Sequence, residues 1–334
     1  MADRVRLALI GCGGISRAHL NGIAELSDLV ELVATCDADR ARAEQAAQRG
    51  GAEVVCEDYH EVLGRDDVDA VDILLPHDLH CEATVAAAEA GKHVLCEKPI
   101  APTAEEAEEM IAASEAVGVK LMIAYCERYS AEHAAARRLL DEGAIGRPYL
   151  MRIDHNQWVW APEGHWLNDP EKLGGGTVAG SGTHRLDLLR WLNGEVKRVA
   201  AFFHTTGLTN IVAEDTATVI LEHENGALGE MLCCWSARQG PWYESFWIYG
   251  DRGTMHNVGG LKLARTSPDE APTGFEKVKL PHDDTGGFRE EIRHFAECVL
   301  HDREPLTNGV EALKTLQLVQ AVYQAAQERR VVDL

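Results

Sequence analysis

The feature that most constrains this chain is its first turn. In "VRLALIGCGGIS" an apolar run stops at Gly11 and Gly13, and a helical pattern opens at about Ser16. Glycines are needed at such a junction when the turn is tight and a side chain would hold the backbone away from a pyrophosphate docked on the helix N-terminus. Ser16 stands where the third glycine of the Gly-x-Gly-x-x-Gly fingerprint would be, and is small enough for close helix packing. Asp37 ends the second apolar run, about twenty residues further on, where an acid binds ribose hydroxyls and repels a 2′-phosphate. The pattern predicts NAD as cofactor, and Arg40 and Arg42 leave NADP open. A glycine turn can also join strand to helix with no ligand, so the fingerprint depends on its setting.

That setting is a repeat of short strands and helices. "VRLALIG", "VELVATCD", "VDAVDILLP", "GKHVLCEKP" and "VKLMIAY" read as buried strands, each a brief branched apolar run closed by a turn signal. "ISRAHLNGIAEL", "ADRARAEQAAQRG", "HCEATVAAAEAG" and "TAEEAEEMIAASEAVG" read as the helices between them, with a capping box at Thr103 and Glu106 and terminators at Gly91 and Gly118. Such alternation predicts a doubly wound parallel sheet of the Rossmann type. After about Tyr125 the grammar changes. One helix, "AEHAAARRLLDEG", precedes a long strand, "RPYLMRIDHNQWVW", and a glycine-rich loop leads to the helix "THRLDLLRWLNG". Strands then follow one another through turns such as "ENG" and "GDRG", which predicts a mostly antiparallel sheet, and two helices end the chain. The expected division is a nucleotide-binding domain over 1–124 and a second α/β domain over 125–334, with the last helices packing back on the first.

Charge and cysteine usage narrow the partners. A formal charge of -22 repels phosphate backbones and anionic membrane surfaces, so neither nucleic acid nor membrane is expected as a partner. A small neutral molecule fits better, with Arg128, Arg152 or Arg238 able to supply a local counter-charge. Nine cysteines without a Cys-x-x-Cys pair suit reduced thiols, and neither a disulfide framework nor a metal site is expected. No run is apolar enough to span a bilayer and the first residues carry no signal pattern, so the expected compartment is the cytoplasm.

The segment "LPHDLHCEATVAAAEAGKHVLCEKPIA", Leu75 to Ala101, resembles the identifying stretch of the glucose-fructose oxidoreductase, inositol dehydrogenase and MocA (Gfo/Idh/MocA) family, above all in "GKHVLCEKP". The resemblance extends to the glycine turn, the Arg128 region, "GGGTVAGSGTHRLDLLRWLNG" and the last helices. It implies an NAD(P)-dependent oxidoreductase acting on a secondary hydroxyl of a sugar, sugar derivative or cyclitol, a second domain with an open sheet that often forms the oligomer interface, and hence a homodimer or homotetramer. Glu97, Lys98 and Pro99 match the family's Glu-Lys-Pro motif, whose lysine lies near substrate and nicotinamide. The cofactor set implied is Gly11, Gly13, Gly14, Ile15 and Asp37, then Pro76, His77, His80, Glu97 and Lys98. Read without the family, Lys98 could equally be a surface lysine paired with Glu97, and "PHDLH" lacks further ligands at metal-binding spacing.

In the same family the glycine-rich loop carries an aspartate, then three residues, then a histidine. His184 matches the histidine, whereas Gly180 stands where the aspartate would be. At the start of a helix His184 would be kept neutral by the dipole and could take a hydroxyl proton, or it could be a structural residue there. Asp187 could orient it from the next turn, or form an ion pair with Arg185 or Arg190. His155 and Trp166 join Lys98, Arg128 and His184 as substrate-contact candidates, with Trp158 and Trp160 as aromatic alternatives to core roles. The vacancy at Gly180 leaves two other readings beside the dehydrogenase, a redox-neutral glycosidase or epimerase using bound NAD transiently, and an inactive nucleotide-binding sensor.

Overall fold

A computed structural model describes residues 4–238, 243–266 and 274–334. In chain order the first elements are β1 (Val5–Ile10), α1 (Ser16–Ala24), β2 (Val30–Cys36), α2 (Arg40–Gly50), β3 (Val54–Cys56), α3 (Tyr59–Leu63), β4 (Ala70–Ile73), α4 (His80–Glu89), β5 (His93–Glu97), α5 (Ala104–Val117) and β6 (Leu121–Ala124). There follow α6 (Ala131–Asp141), β7 (Pro148–Asn156), α7 (Pro170–Leu173), α8 (Thr183–Asn193), β8 (Val196–His204), β9 (Thr216–His223) and β10 (Leu228–Cys234). The last are β11 (Tyr243–Gly250), β12 (Gly253–His256), β13 (Lys262–Arg265), β14 (Glu276–Lys277), α9 (Phe288–Leu300), α10 (Gly309–Glu328) and β15 (Val332–Asp333).

Two compact units result. The first comprises residues 1–129 and 286–316, the second 130–285 and 317–334. In the first, six strands pair in parallel in the order β3-β2-β1-β4-β5-β6, with the order reversing between β1 and β4. Ligands of such sheets bind beyond the carboxyl ends of the strands at that reversal. The strands are apolar on both faces because both are covered. Ala8, Ile10, Val71, Ile73, Val94 and Ile123 belong to one buried cluster, and Leu7, Leu9, Ala70, Leu95 and Met122 to the other. The C-terminal segment contributes to each: Ile292 and Phe295 of α9 join the cluster containing α1 and α2, and Ala312 and Leu316 of α10 join the cluster containing residues of α4 and α5. The Thr103–Glu106 capping box forms with both of its hydrogen bonds, and Gly118 ends α5 in the left-handed conformation.

The second unit is built on a nine-stranded sheet, β14-β13-β12-β11-β7-β10-β9-β8-β15. Its pairings are antiparallel except for β7 with β10. One face is buried: Met151, Ile153, Met231, Phe246 and Ile248 pack with Leu186 and Leu189 of α8, Ala135 and Leu139 of α6, and Leu318 and Val322 of α10. The other face carries exposed apolar residues, among them Phe202 (75% exposed), Ile220 and Leu228. The two-residue alternation along β7 is what selects the buried set.

Candidate active site

The turn after β1 is shaped for a close ligand. Gly11 has φ +95, and a Cβ on it would lie 2.5 Å from the carbonyl oxygen of Leu74. The Cys12 N–H donates to Asp37 Oδ2 at 2.8 Å, so the acid at the end of β2 is fixed against the turn. Gly13, Gly14 and Ile15 are exposed, and a Cβ on either glycine would meet nothing within 4 Å. Ser16 donates its hydroxyl to Gly13 O at 2.7 Å, a bond that a glycine there could not make. The result is a bare backbone surface over the first turn of α1, with a carboxylate at its side. Those are the requirements of a dinucleotide's pyrophosphate and ribose. Arg40 is paired with Glu44 and Glu57, and Arg42 with Asp39, so both arginines are engaged by acids, which favours NAD.

β4 and β5 end at the same edge of the sheet as β1. Pro76 is half-buried and His77 buried beyond β4. Their neighbour His80 is fully buried, and its ring nitrogens lie 2.8 and 2.9 Å from the carbonyl oxygens of Pro99 and Leu75. It thereby braces two loops against each other. Glu97 is likewise buried, accepting the Lys98 N–H at 3.0 Å through Oε2 and approaching His19 Nε2 at 3.3 Å through Oε1. Lys98 follows, half-buried at the sheet edge. Arg128 is 2% exposed and directed to Leu306 O and Glu311, contacts that tie the C-terminal segment into this unit.

In the second unit, the segment before α8 explains Gly180. Val178–Gly182 winds as a π-helical turn that runs directly into α8, a local widening frequent at functional sites. His184 (9% exposed) therefore lies inside a continuous helical run and not at a free helix N-terminus, so the dipole argument for its neutrality does not hold. A Cβ on Gly180 would lie 2.4 Å from the indole of Trp235. That ring is 3% exposed, packs with Ala161, Leu173 and Ile211, and donates its Nε1–H to Ser181 Oγ at 2.8 Å. Gln157 also donates to Ser181 Oγ, at 2.9 Å. The position that would carry an acid is thus closed by an aromatic ring.

The buried face of the second sheet ends in charge. His155 and Glu244 are paired neighbours on β7 and β11, one step beyond Ile153 and Phe246. Glu244 bonds Arg185 of α8, and its two oxygens lie 3.4 and 3.5 Å from His155 Nδ1 and His133 Nε2. All four side chains are buried. His155 is thus held from below by a carboxylate, beside the helix that carries His184. Asp187 is 1% exposed and pairs with Arg190 at 3.8 Å, the structural alternative. Trp166 is half-buried against the Trp235 cluster, Trp158 stacks on Arg238 at 4.7 Å, and Trp160 is exposed. Arg152 is paired with Asp154 and Glu230.

Several of these residues carry signals that single-sequence reading passes over. His19 lies on the stripe Ser16, His19, Leu20 and Ile23 of α1, and Asp72 interrupts the apolar run of β4. Glu244 occupies an inward position of β11 in step with Phe246 and Ile248. Trp235 leaves no signal but Gly180 itself.

Residues 5–125 match the family described as "Oxidoreductase family, NAD-binding Rossmann fold", and residues 133–256 the "GFO/IDH/MocA C-terminal domain". A D-apiose dehydrogenase of Paraburkholderia graminis is 34% identical over 99% of this chain and 90% of its own length. A scyllo-inositol 2-dehydrogenase (NAD(+)) of Bacillus subtilis is 30% identical over 95% of this chain and 93% of its own. The solved structure of a levoglucosan dehydrogenase in complex with NADH and levoglucosan superposes with a TM-score of 0.92 at 26% identity, covering 99% of both chains.

Proposed function

The chain belongs to the Gfo/Idh/MocA family of oxidoreductases, and from that premise we propose that Lys98 of the first unit and His184 of the second carry the proton chemistry of a dehydrogenase. The enzyme is an NAD(P)-dependent oxidoreductase acting on a secondary hydroxyl of a sugar, sugar derivative or cyclitol. The observation that carries the assignment of Lys98 is its position at the carboxyl end of β5, on the sheet edge that also presents the bare turn at Gly13 and Gly14. When bound there, the dinucleotide supplies the hydride acceptor or donor. Gly11, Gly13, Gly14 and Ile15 leave room for its pyrophosphate, Asp37 receives ribose hydroxyls, and Pro76 and His77 line the edge beside them. Lys98 exchanges the proton of the reacting hydroxyl. In the second unit, His184 is assigned proton chemistry, and His155, oriented by Glu244, is assigned substrate contact together with Trp166.

The relatives reported above are dehydrogenases, and neither a redox-neutral glycosidase or epimerase nor an inactive sensor gains support from them. Among the described residues no helix is long and apolar enough to cross a membrane. The nine cysteines are all free thiols, which suits the cytoplasmic location we assign. The exposed apolar face of the nine-stranded sheet suits self-association into a dimer or tetramer.

The purified protein, incubated with NAD and a panel of sugars and polyols, is expected to produce NADH stoichiometrically with oxidised product. Lys98→Ala is expected to lower turnover by about 10²- to 10⁴-fold, the range for loss of a general acid-base group. Product without NADH would overturn the dehydrogenase, and a wild-type rate in Lys98→Ala would remove Lys98 from the reaction.

A further inference from the structure

Beneath the nucleotide turn the first unit buries three ionisable side chains on three different elements. His19 of α1 and Asp72 of β4 are fully buried, and Glu97 at the end of β5 is 7% exposed. His19 Nδ1 lies 2.8 Å from Asp72 Oδ2, and Nε2 lies 3.3 Å from Glu97 Oε1. The second Glu97 oxygen accepts the backbone N–H of Lys98 at 3.0 Å. Phe288 of α9 covers the imidazole edge-on, with ring centroids 5.4 Å apart. A carboxylate oxygen accepts only, so a ring serving both acids donates from both nitrogens as an imidazolium. Burial disfavours that charge, yet Asp72 and Glu97 raise the His19 pKa well above the ordinary value. For Glu97, burial works against the anion, and His19 and Lys98 nevertheless hold its pKa below the usual carboxylate range.

Stability alone does not account for this triad. Burying charge in a core carries a desolvation cost that well-packed apolar side chains of similar volume avoid, and such replacements are often neutral or stabilising. The triad differs from an apolar plug in what it connects. α1 begins at the turn that forms the nucleotide cradle, β4 ends at Pro76 and His77, and Glu97 is bonded to the residue proposed to move the proton. Two carboxylates and the imidazolium together leave one negative charge, which the Lys98 side chain offsets.

Building on the reaction proposed above, we propose that His19 is a positioning residue for it, fixing the Glu97 carboxylate and through it the backbone and local charge of Lys98 in register with the nucleotide turn. The ionisable groups about Glu97 and Lys98 include His80, whose pKa burial lowers, the thiols of Cys96 and Cys126, which burial pushes up, and Glu291 and Glu127, whose charges also act on Cys126.

The test follows from charge. His19→Gln removes a cation and leaves Lys98 in a more negative environment, whereas Glu97→Gln removes an anion and does the reverse. The half-maximal point of the kcat/KM profile for substrate oxidation is therefore expected to rise by about one pH unit in His19→Gln and to fall by about one in Glu97→Gln. In His19→Gln, kcat is expected to fall about tenfold or more while the Kd for NAD, read by intrinsic fluorescence, changes less than about threefold. A second readout needs no turnover: the pH dependence of Lys98 acetylation by an amine-reactive ester, followed by mass spectrometry on the free protein, is expected to move in the same two directions. Should His19→Gln fail to fold, the downward shift in Glu97→Gln carries the test alone. Superimposable profiles, or shifts of the same sign in both variants, would overturn the positioning role. Absence of NADH from wild-type protein with every sugar tested would instead overturn the dehydrogenase reading, and the acetylation profiles would still decide the role of His19.

Discussion

At the scale of a residue, Gly180 is the most informative position of the second unit. Its lack of a side chain is explained by Trp235, whose indole occupies the space into which a Cβ would project. An acid at this position would have to displace a buried ring held by Ser181 and by the Ala161, Leu173 and Ile211 cluster. Gly180→Asp is therefore expected to lower stability by about 1–3 kcal/mol, the range for overpacking, with loss of turnover. Shortening the ring in Gly180→Asp/Trp235→Ala is expected to recover part of that stability relative to Trp235→Ala plus Gly180→Asp taken additively. Urea unfolding midpoints of the three variants check the coupling; strict additivity would mean that the indole and position 180 do not compete for space. In the chain itself the proton must be managed without a carboxylate at 180.

At the scale of an element, α9 shows how a distant segment completes a nucleotide-binding layer. Phe295 (1% exposed) and Ile292 close the buried cluster that also holds Leu20 and Ile23 of α1. Phe295→Ala is expected to cost about 3–5 kcal/mol and to weaken NAD binding along with stability, since the helix that begins at the nucleotide turn loses its cover. Paired unfolding and NAD titrations check this, and unaltered stability would mean that α9 is not part of the same core. The strands of the parallel sheet were legible because "VRLALIG" and its successors are apolar on both faces, and α5 because Thr103 and Glu106 form its capping box. The three-residue β3 and five-residue α3 were not legible, being too short to show a period. The glycine turn at Gly11 and Gly13 and the acid at Asp37 that closes on it were legible from spacing. The inward direction of Glu97, His80 and Arg128 was not, since a polar residue at a strand end or helix start reads the same whether it faces a ligand or the core. The π-helical turn ahead of His184 was invisible for a related reason: "GSGTHRLD" fits a cap as well as it fits a helix already under way.

At the scale of the whole molecule, the chain's charge of -22 bears on association and on pH. Self-repulsion opposes oligomers, but the open sheet face offsets its own charges: Arg198 pairs with Glu222, and Arg152 with Asp154 and Glu230, around Phe202, Ile220 and Leu228. If that face mediates self-association, Phe202→Glu is expected to reduce the mass measured by light scattering, and an unchanged mass would move the contact elsewhere. Acid stability follows from the buried histidines. Burial lowers the pKa of His80, His93, His223, His256 and His294 below the ordinary value of 6.5. Below that value the unfolded chain binds protons that the folded chain refuses, so the stability these groups contribute near neutrality is lost as pH falls through their folded values. Depressed carboxylates act in the same direction at lower pH. Glu97, held down by His19 and Lys98 against its burial, and Asp69, held down by Arg6 against its burial, contribute above the usual carboxylate range and lose that contribution as pH falls through their lowered values. His19 has the opposite sign: its raised pKa gives a contribution fully present below 6.5 and lost only as pH rises through the folded value. The urea midpoint is therefore expected to decline in two stages on acidification, the first beginning below about pH 6.5 and the second below about pH 4. Because the first stage belongs to histidines, replacing His223, whose Nδ1 lies 2.6 Å from Gly194 O, with Asn is expected to reduce its amplitude and leave the second in place. A midpoint that stays level from pH 7 to 5 would show that the buried histidines do not govern the acid limb.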